Sequence, residues 1–449
     1  MRPGRSVRCV VSGAFFALSL TALSSGVLLR EPGSPAAQAA ITAGCEAEWL
    51  PPREVLVHTP GAELFFGVIH PDAALFERPF WPDGAAAEHQ SYVRLLSLQG
   101  ARVRSVVETL LDGVLDRAGR PIEGPPLDEL RELASRFIKV TCEGFESRAA
   151  EEKKQQEYLG TTLRGLHPRD LVRIILTQPR VHLRPTPALN TGYVASYEVS
   201  PVMNLYFMRD QMITTRKGVV LGRMNSEQRR AETEIVRFVL KKLGIAPLYE
   251  VHGDGRLEGG DFIPAGKVAF IGQGLRTNPD AVRQLLDNDV FGTETVVVVK
   301  EAWLNQNQMH LDTYFNVIAP DLAVMVETRM NRDAVGRPRV VSPEMRLLAD
   351  VYTAGTGGYL LARRDVDFQA YLEAQGFKMI SVSSADQLKY GLNFLTVGPR
   401  KILGIAGVSE AYKASLETNG VNATWMDFSN LTGGYGAAHC TVQVLRRAP

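Results

Sequence analysis

Past residue 50 the chain shows two kinds of hydrophobic pattern. Glu54-Val55-Leu56-Val57-His58, followed by Thr59-Pro60-Gly61, reads as a strand running into a turn. From about Glu88 the period becomes helical, with Val103, Val106, Val107, Leu110 and Leu111 recurring at three- and four-residue steps. The Pro-rich stretch Gly119 to Pro126 interrupts it, and Leu127 to Ile138 resumes it. Ser147 to Leu159 is strongly charged, and Arg169 to Leu176 forms a last short helix after His167-Pro168. The run Glu151-Glu152-Lys153-Lys154 reads as a solvated helix face.

From Asn204 onward short β-type segments alternate with helices. Val219 to Leu221, Arg229 to Leu243, Val268 to Ile271, Pro279 to Leu286 and Thr295 to Val299 set the pattern. Val317-Ile318, Ala323 to Val326, Asp367 to Gln375, Met379 to Val382, Ile402-Leu403 and Glu410 to Glu417 repeat it. Repeated strand and helix units predict an α/β class. The helical block at about 100–185 then reads as an insertion.

The first forty residues differ from the rest. Arg2, Arg5 and Arg8 precede an apolar run from Cys9 to Leu29, and a Pro/Ala-rich stretch ends in Ala36-Ala37-Gln38-Ala39-Ala40. That order predicts a secretory signal over 1–40, cut near Ala39, and an exported (periplasmic or extracellular) protein. A retained membrane anchor is the alternative, since the run is long enough to span a bilayer. Charge changes little: 50 basic against 49 acidic residues give a net +1, so no electrostatic case exists for nucleic acid. Of the four cysteines, Cys9 leaves with the signal. Cys45 and Cys142 are candidates for one disulfide, and Cys440 is the odd thiol in an exported chain. No Cys/His set has zinc spacing.

Four short stretches gather polar residues among apolar neighbours: Asn204 to Asp210, Leu257 to Asp261, His310 to Thr313, and Gly433 to Cys440. Singly, each has a plain structural reading. The glycines of Glu258-Gly259-Gly260-Asp261 mark a turn; His310 and Asp312, two apart, share one face if the segment is a strand; a free cysteine is commonly a core thiol. Together they describe a site for a planar cation. Carboxylates accept the in-plane N–H groups of a guanidinium. A thiolate attacks its central carbon, and a histidine delivers a proton to the leaving group and then activates water. Asp210, Glu258, Asp312, His310 and Cys440 supply those parts.

These stretches, in this order, resemble the arginine deiminase family of guanidino-modifying enzymes, from Glu54-Val55-Leu56-Val57-His58 to Cys440 and including the insertion ending His167-Pro168-Arg169. The resemblance implies a pentein fold over 50–445: five ββαβ-like units around a pseudo-fivefold axis, with the site at the axis. It implies Cys440 as nucleophile, His310 as general acid/base, Asp210 and Asp312 as guanidinium-binding aspartates, and Glu258 beside the histidine. Asp261 closes that turn, and Asn204, Arg276 and Arg229 (rather than Arg230) match holders of the substrate α-carboxylate. Arginine is then the substrate, the products are citrulline and ammonia, and no cofactor or metal is required. The resemblance leaves a homo-oligomer open.

The chain departs from the family at several places. Gln211 replaces the usual Pro after the Arg-Asp pair, and Thr59-Pro60-Gly61 replaces Arg-Pro-Gly. Tyr435 and Ala437-Ala438 stand in the usually Gly/Arg-rich loop before the nucleophile. That loop contacts substrate, so the rival readings are an amidinotransferase, an agmatine or peptidylarginine deiminase, and a catalytically silent exported binding protein.

Overall fold

The computed structural model describes residues 41–333 and 337–448. The export segment read over 1–40, its cut near Ala39, and Cys9 lie outside the described residues. Among the described residues one three-stranded arrangement recurs five times. A short antiparallel hairpin leads through a helix to a third strand that runs parallel to the second. One unit is Met212–Thr214, Val219–Leu221, helix Arg230–Lys242 and Tyr249–Glu250. The next is Phe262–Ala265, Val268–Gln273, helix Pro279–Asp287 and Thr295–Lys300. Then come Phe315–Ala319, Leu322–Val326, helix Phe368–Ala374 and Lys378–Val382. Leu395–Gly398, Lys401–Ile405, helix Glu410–Thr418 and Asn422–Met426 follow. The remaining unit joins the two ends of the described chain. Its last strand, Gln443–Arg447, lies antiparallel to Pro52–Val57, and that strand runs parallel to Arg102–Ser105.

The local sequence accounts for these elements. Thr295–Lys300 reads as four valines between polar ends and buries all four, as a strand covered on both faces requires. Helix Arg230–Lys242 buries Ile235, Val236, Val239 and Leu240 as one stripe. Asn278, Asp367 and Ser409 cap three crossover helices by accepting the backbone N–H of Ala281, Ala370 and Tyr412, each cap worth about 1 kcal/mol. A hairpin, Leu348–Gly355 with Gly358–Asp367, widens one sheet to five strands.

The stretch read as a helical block over 100–185 is more mixed. Arg102–Ser105, placed by periodicity in a helix, is a strand of the terminal unit. The helices Pro125–Phe137, Arg148–Glu157 and Pro168–Thr177 do form, but they pack with a separate sheet of Lys139–Cys142, Pro179–Pro185 and Tyr193–Val199. Those strands are short and pair across the intervening helices, so local periodicity carries little of their signal.

Cys45 and Cys142, left open as a disulfide pair by the sequence, are free thiols. Cys45 donates to the carbonyl of Val444 at 3.4 Å, whereas Cys142 packs in a different apolar cluster from the one that holds Cys45. Burial pushes the Cys45 thiol up to about 12, so it is inert at neutral pH. Among the described residues no helix is long and apolar enough to cross a membrane.

Candidate active site

Each unit presents polar side chains just before its first strand. Asp210 precedes Met212–Thr214, Glu258 and Asp261 precede Phe262–Ala265, and His310 and Asp312 precede Phe315–Ala319. Asn393 precedes Leu395–Gly398 and Cys440 precedes Gln443–Arg447. The lead-ins that carry Asp210, His310 and Cys440 border one pocket, which Asn204, Arg229 and Arg276 also line, with Tyr435 at its side. A neighbouring pocket shares Gln306, Met309 and Tyr435 with it and reaches Asn393 and Glu77.

Cys440 is 4% exposed, and its Sγ accepts a hydrogen bond from Asn393 Nδ2 at 3.1 Å. Asp312 Oδ2 lies 3.7 Å from the same sulfur. Burial, then the negative charges of Asp312 and Asp210, push the thiol well above its usual range, while the bonds from Asn393 and Ala437 pull the other way. Entry of a cation between those carboxylates cancels part of the upward push.

His310 places Nε2 3.0 Å from Glu258 Oε2 and Nδ1 4.0 Å from Asp210 Oδ1. Burial opposes its protonation, but the charges of Asp210, Glu258 and Asp261 prevail and raise it to about 9. Burial likewise works to raise Glu258, and the bond from His310 with the charges of Arg276 and Arg229 overcomes it, holding the carboxyl at about 2. At neutral pH the pair is an imidazolium against a carboxylate, so His310 stands ready as an acid.

Asp210 Oδ2 accepts Arg229 Nη1 at 2.8 Å, and its Oδ1 makes no hydrogen bond. Burial raises this carboxyl above its usual range despite the guanidinium beside it. Asp312, fully buried, accepts His439 Nδ1 on Oδ2 at 2.7 Å and leaves Oδ1 without a hydrogen bond. Each of these two buried carboxylates keeps one oxygen without a hydrogen bond, Asp210 Oδ1 lying 4.0 Å from the His310 ring. An uncompensated buried acceptor costs about 1–3 kcal/mol, which a planar cation with N–H donors would offset.

The structure changes three details of the sequence reading. His310 and Asp312 do not share a strand face: residues Leu311–Thr313 form a 3-10 turn, so His310 turns to Glu258 while Asp312 meets His439. Asp261, expected as a substrate contact, does not line the pocket; its Oδ1 accepts the N–H of Leu311 at 2.9 Å and so braces the turn that carries His310. Burial raises its carboxyl to about 7. Arg229 does border the pocket, but Nη1 is bound to Asp210, Nε and Nη2 are bound to Glu232, and Nη2 also donates to the carbonyl of Asn204. Four of its five N–H donors are thus bound to the protein, the second on Nη1 being left over.

Arg276 and Asn204 remain on the pocket wall. Arg276 Nη2 donates to Gln306 Oε1 at 3.0 Å and its Nε makes no hydrogen bond. Asn204 Nδ2 is tied to the carbonyl of Ala74 at 2.9 Å. Gln211, the replacement for the family's Pro, donates to Glu232 Oε2 at 2.7 Å and so steadies the carboxylate that holds Arg229. The paired glycines are needed for close approach. A Cβ on Gly259 would stand 2.0 Å from the carbonyl oxygen of Arg209, and one on Gly260 would stand 2.7 Å from the His310 ring.

Sequence reasoning missed Asn393 and His439, both buried. The signal for Asn393 was its place before the strand at Leu395, matching the other four lead-ins, but only the recurrence makes that visible. Behind His439 lies a buried charge cluster in which Arg447 binds Glu48, with Arg209 Nη1 3.5 Å and His439 Nε2 3.6 Å from Glu48 Oε1. Tyr92 donates to the carbonyl of Ala438 at 2.8 Å, pinning the catalytic loop from the helix Pro82–Leu98.

With this geometry in view, the family described as arginine deiminase matches residues 72–447. The arginine deiminase of Halobacterium salinarum is 28% identical over 90% of this chain and 96% of its own. That of Streptococcus equi subsp. zooepidemicus is 26% identical over 86% and 94%. Among solved structures, an amidinotransferase from Microseira wollei is similar at 13% identity and a TM-score of 0.49, covering 91% of this chain and 98% of that one.

Proposed function

Because the chain belongs to the arginine deiminase family, and is thus a guanidino-modifying enzyme acting on C–N amidine bonds, we propose that it hydrolyses free L-arginine to L-citrulline and ammonia. The single observation that carries this reading is the grouping at one pocket of the Cys440 thiol, 3.7 Å from Asp312 Oδ2, and the His310 imidazolium, 4.0 Å from Asp210 Oδ1.

In this reading the substrate guanidinium enters with its N–H groups on Asp210 Oδ1 and Asp312 Oδ1. Its charge lowers the cost of ionising Cys440, whose proton passes to solvent as the substrate binds, leaving the thiolate. Sγ bonds to the guanidinium carbon, His310 gives its proton to the departing nitrogen, and ammonia leaves an S-alkylthiouronium on Cys440. His310, now neutral and held by Glu258, takes a proton from water as the oxygen attacks the same carbon. The C–S bond breaks and the added oxygen loses its remaining proton to solvent, giving the neutral ureido product and restoring the thiolate and the imidazolium. The α-carboxylate falls to Arg276 and Asn204, because Arg229 is committed to Asp210 and Glu232.

Two further parts of the reading concern the whole chain. The five units are taken to close into a pentein ring around a pseudo-fivefold axis, supported by the recurrence of their topology and by the bonds that join their lead-ins, His310 to Glu258 and Asn393 to Cys440. The protein is taken to be exported, supported by Arg2, Arg5 and Arg8 before the apolar run and the small-residue site at Ala39. Sequencing the N-terminus of the protein recovered outside the cytoplasm tests export; an uncleaved protein retained inside the cell overturns it.

The substrate assignment is tested by ureido-product formation from arginine, agmatine and a peptide with internal arginine, each with and without an acceptor amine. Arginine should be hydrolysed with the highest kcat/KM and should give no amidinated acceptor. Comparable turnover of agmatine or the peptide, or transfer to the amine, would overturn the assignment.

A further inference from the structure

Asn393 belongs to none of the motif stretches, yet it is tied into the catalytic loop by every polar atom on that side of the residue. It is 1% exposed. Its Oδ1 accepts the backbone N–H of Ala437 at 3.0 Å and of Cys440 at 3.2 Å, and its carbonyl accepts the N–H of His439 at 3.0 Å. Its Nδ2 donates to Cys440 Sγ at 3.1 Å and approaches the carbonyl of Asp312 at 3.4 Å. The orientation of the amide is not arbitrary. Two backbone N–H groups converge on one of its ends, so that end must be oxygen, and the NH₂ must then face the sulfur.

The position has an architectural reason. In four units the residues before the first strand carry the acid, base, cation-binding and nucleophilic groups of the proposed reaction, and Asn393 is what the fifth unit supplies at the corresponding place. The surroundings give that contribution a task. Cys440 is buried beside Asp312 and Asp210, which disfavour a second negative charge. The backbone of the loop and the NH₂ of Asn393 are the neutral dipoles that oppose this.

We infer that Asn393 is a further catalytic residue, donating from Nδ2 to the Cys440 thiolate while its Oδ1 holds the loop that carries the sulfur. The donor stabilises the thiolate before attack and again when the C–S bond breaks, and Oδ1 keeps Sγ aimed at the pocket. The inference rests on Cys440 being the nucleophile, but its test does not need turnover.

The experiment follows alkylation of Cys440 by iodoacetamide across pH in the full chain without substrate, read on the Cys440 peptide by mass spectrometry. Native protein is compared with Asn393→Asp and Asn393→Leu, and thermal melting checks that each is folded. Asn393→Asp keeps an acceptor for Ala437 and Cys440 but has no donor for Sγ; Asn393→Leu has no donor and adds no charge. Both should move the alkylation midpoint upward by about one pH unit or more, and Asn393→Asp should move it further. Turnover should also fall about 100-fold or more in both, with a smaller change in KM. Should the Leu variant not fold, Asn393→Ala takes its place under the same criterion. An unmoved midpoint in the neutral variant overturns the inference even if Asn393→Asp shifts, because the shift is then due to charge alone. Near-normal turnover by Cys440→Ser would instead overturn the assignment of the nucleophile, leaving the alkylation result to stand by itself.

Discussion

His439 Nδ1 lies 2.7 Å from Asp312 Oδ2, although the two residues are separated by 127 positions in the chain. Asp312 is an acceptor there, so Nδ1 carries the proton and Nε2 faces Glu48. The residue beside Cys440 thereby fixes the Asp312 carboxylate, leaving Oδ1 without a hydrogen bond. The arrangement makes His439 a positioning residue with a sharp requirement for its Nδ1 donor.

His439→Asn keeps an N–H donor near the Nδ1 position, whereas His439→Leu removes it. The Leu variant should lose about 1–3 kcal/mol of stability from the unsatisfied carboxylate oxygen. It should also lose about tenfold or more in kcat/KM, with the Asn variant restoring most of both. Chemical denaturation and steady-state kinetics on the pair check this; equal losses in the two variants would show that shape rather than the donor matters.

The pH dependence of stability follows from His310, Asp261 and Glu258. His310 is raised to about 9 in the folded state, so its contribution is full below the unfolded value near 6.5 and disappears as pH rises through 9. Asp261 is raised to about 7, and its contribution is likewise lost as pH climbs from about 4 through 7. Glu258 is held at about 2 and acts in the opposite sense, contributing above its ordinary value near 4.5 and losing that contribution as pH falls towards 2. Unfolding free energy measured by denaturant from about pH 3 to pH 10 should decline on the alkaline side, and Asp261→Asn should flatten the fall below pH 7. In the kinetics, turnover should fall as His310 deprotonates near pH 9.

Gly260→Ala brings a Cβ to 2.7 Å from Cγ and Nδ1 of His310. The ring must move away from Glu258 and Asp210, so turnover should drop about 100-fold or more in a protein that still folds. Retention of turnover with a lowered melting temperature would mean that the backbone gives way and the ring does not.

Arg276 and Arg229 should respond differently to substitution. Arg276→Gln should raise KM for arginine about tenfold or more while barely altering weak turnover of agmatine, which lacks the carboxylate. Arg229→Gln leaves the buried Asp210 and Glu232 without their guanidinium and should destabilise the fold by about 3–5 kcal/mol, whatever the substrate. Melting curves with kinetics on both substrates distinguish the two. An Arg229 variant that folds normally and loses only arginine affinity would return that residue to the substrate site.

Gln211→Ala removes the 2.7 Å bond to Glu232 and should cost about 1–2 kcal/mol, with a modest fall in activity through Arg229. The substitution is read by denaturant melts and by KM for arginine.

The residues themselves determined the class of the chain, several of its helices and strands, and the side-chain chemistry of four stretches, because periodicity and side-chain type are local properties. Helix Arg230–Lys242 is legible from its apolar stripe, and Cys440, His310, Glu258 and Asp210 are legible as a thiol, an imidazole and carboxylates set in apolar surroundings. Partnership was not legible. Asn393 reaches Cys440 across 47 residues and His439 reaches Asp312 across 127, contacts made by the packing of strand units and invisible to any window of sequence. The same packing turned Asp261 from the pocket to Leu311, bound Arg229 to protein carboxylates, and set a sheet inside a segment read as helical. Side-chain chemistry is carried by the residue alone, whereas the oxygen or nitrogen it faces depends on which distant segments the fold brings within about 3 Å of it.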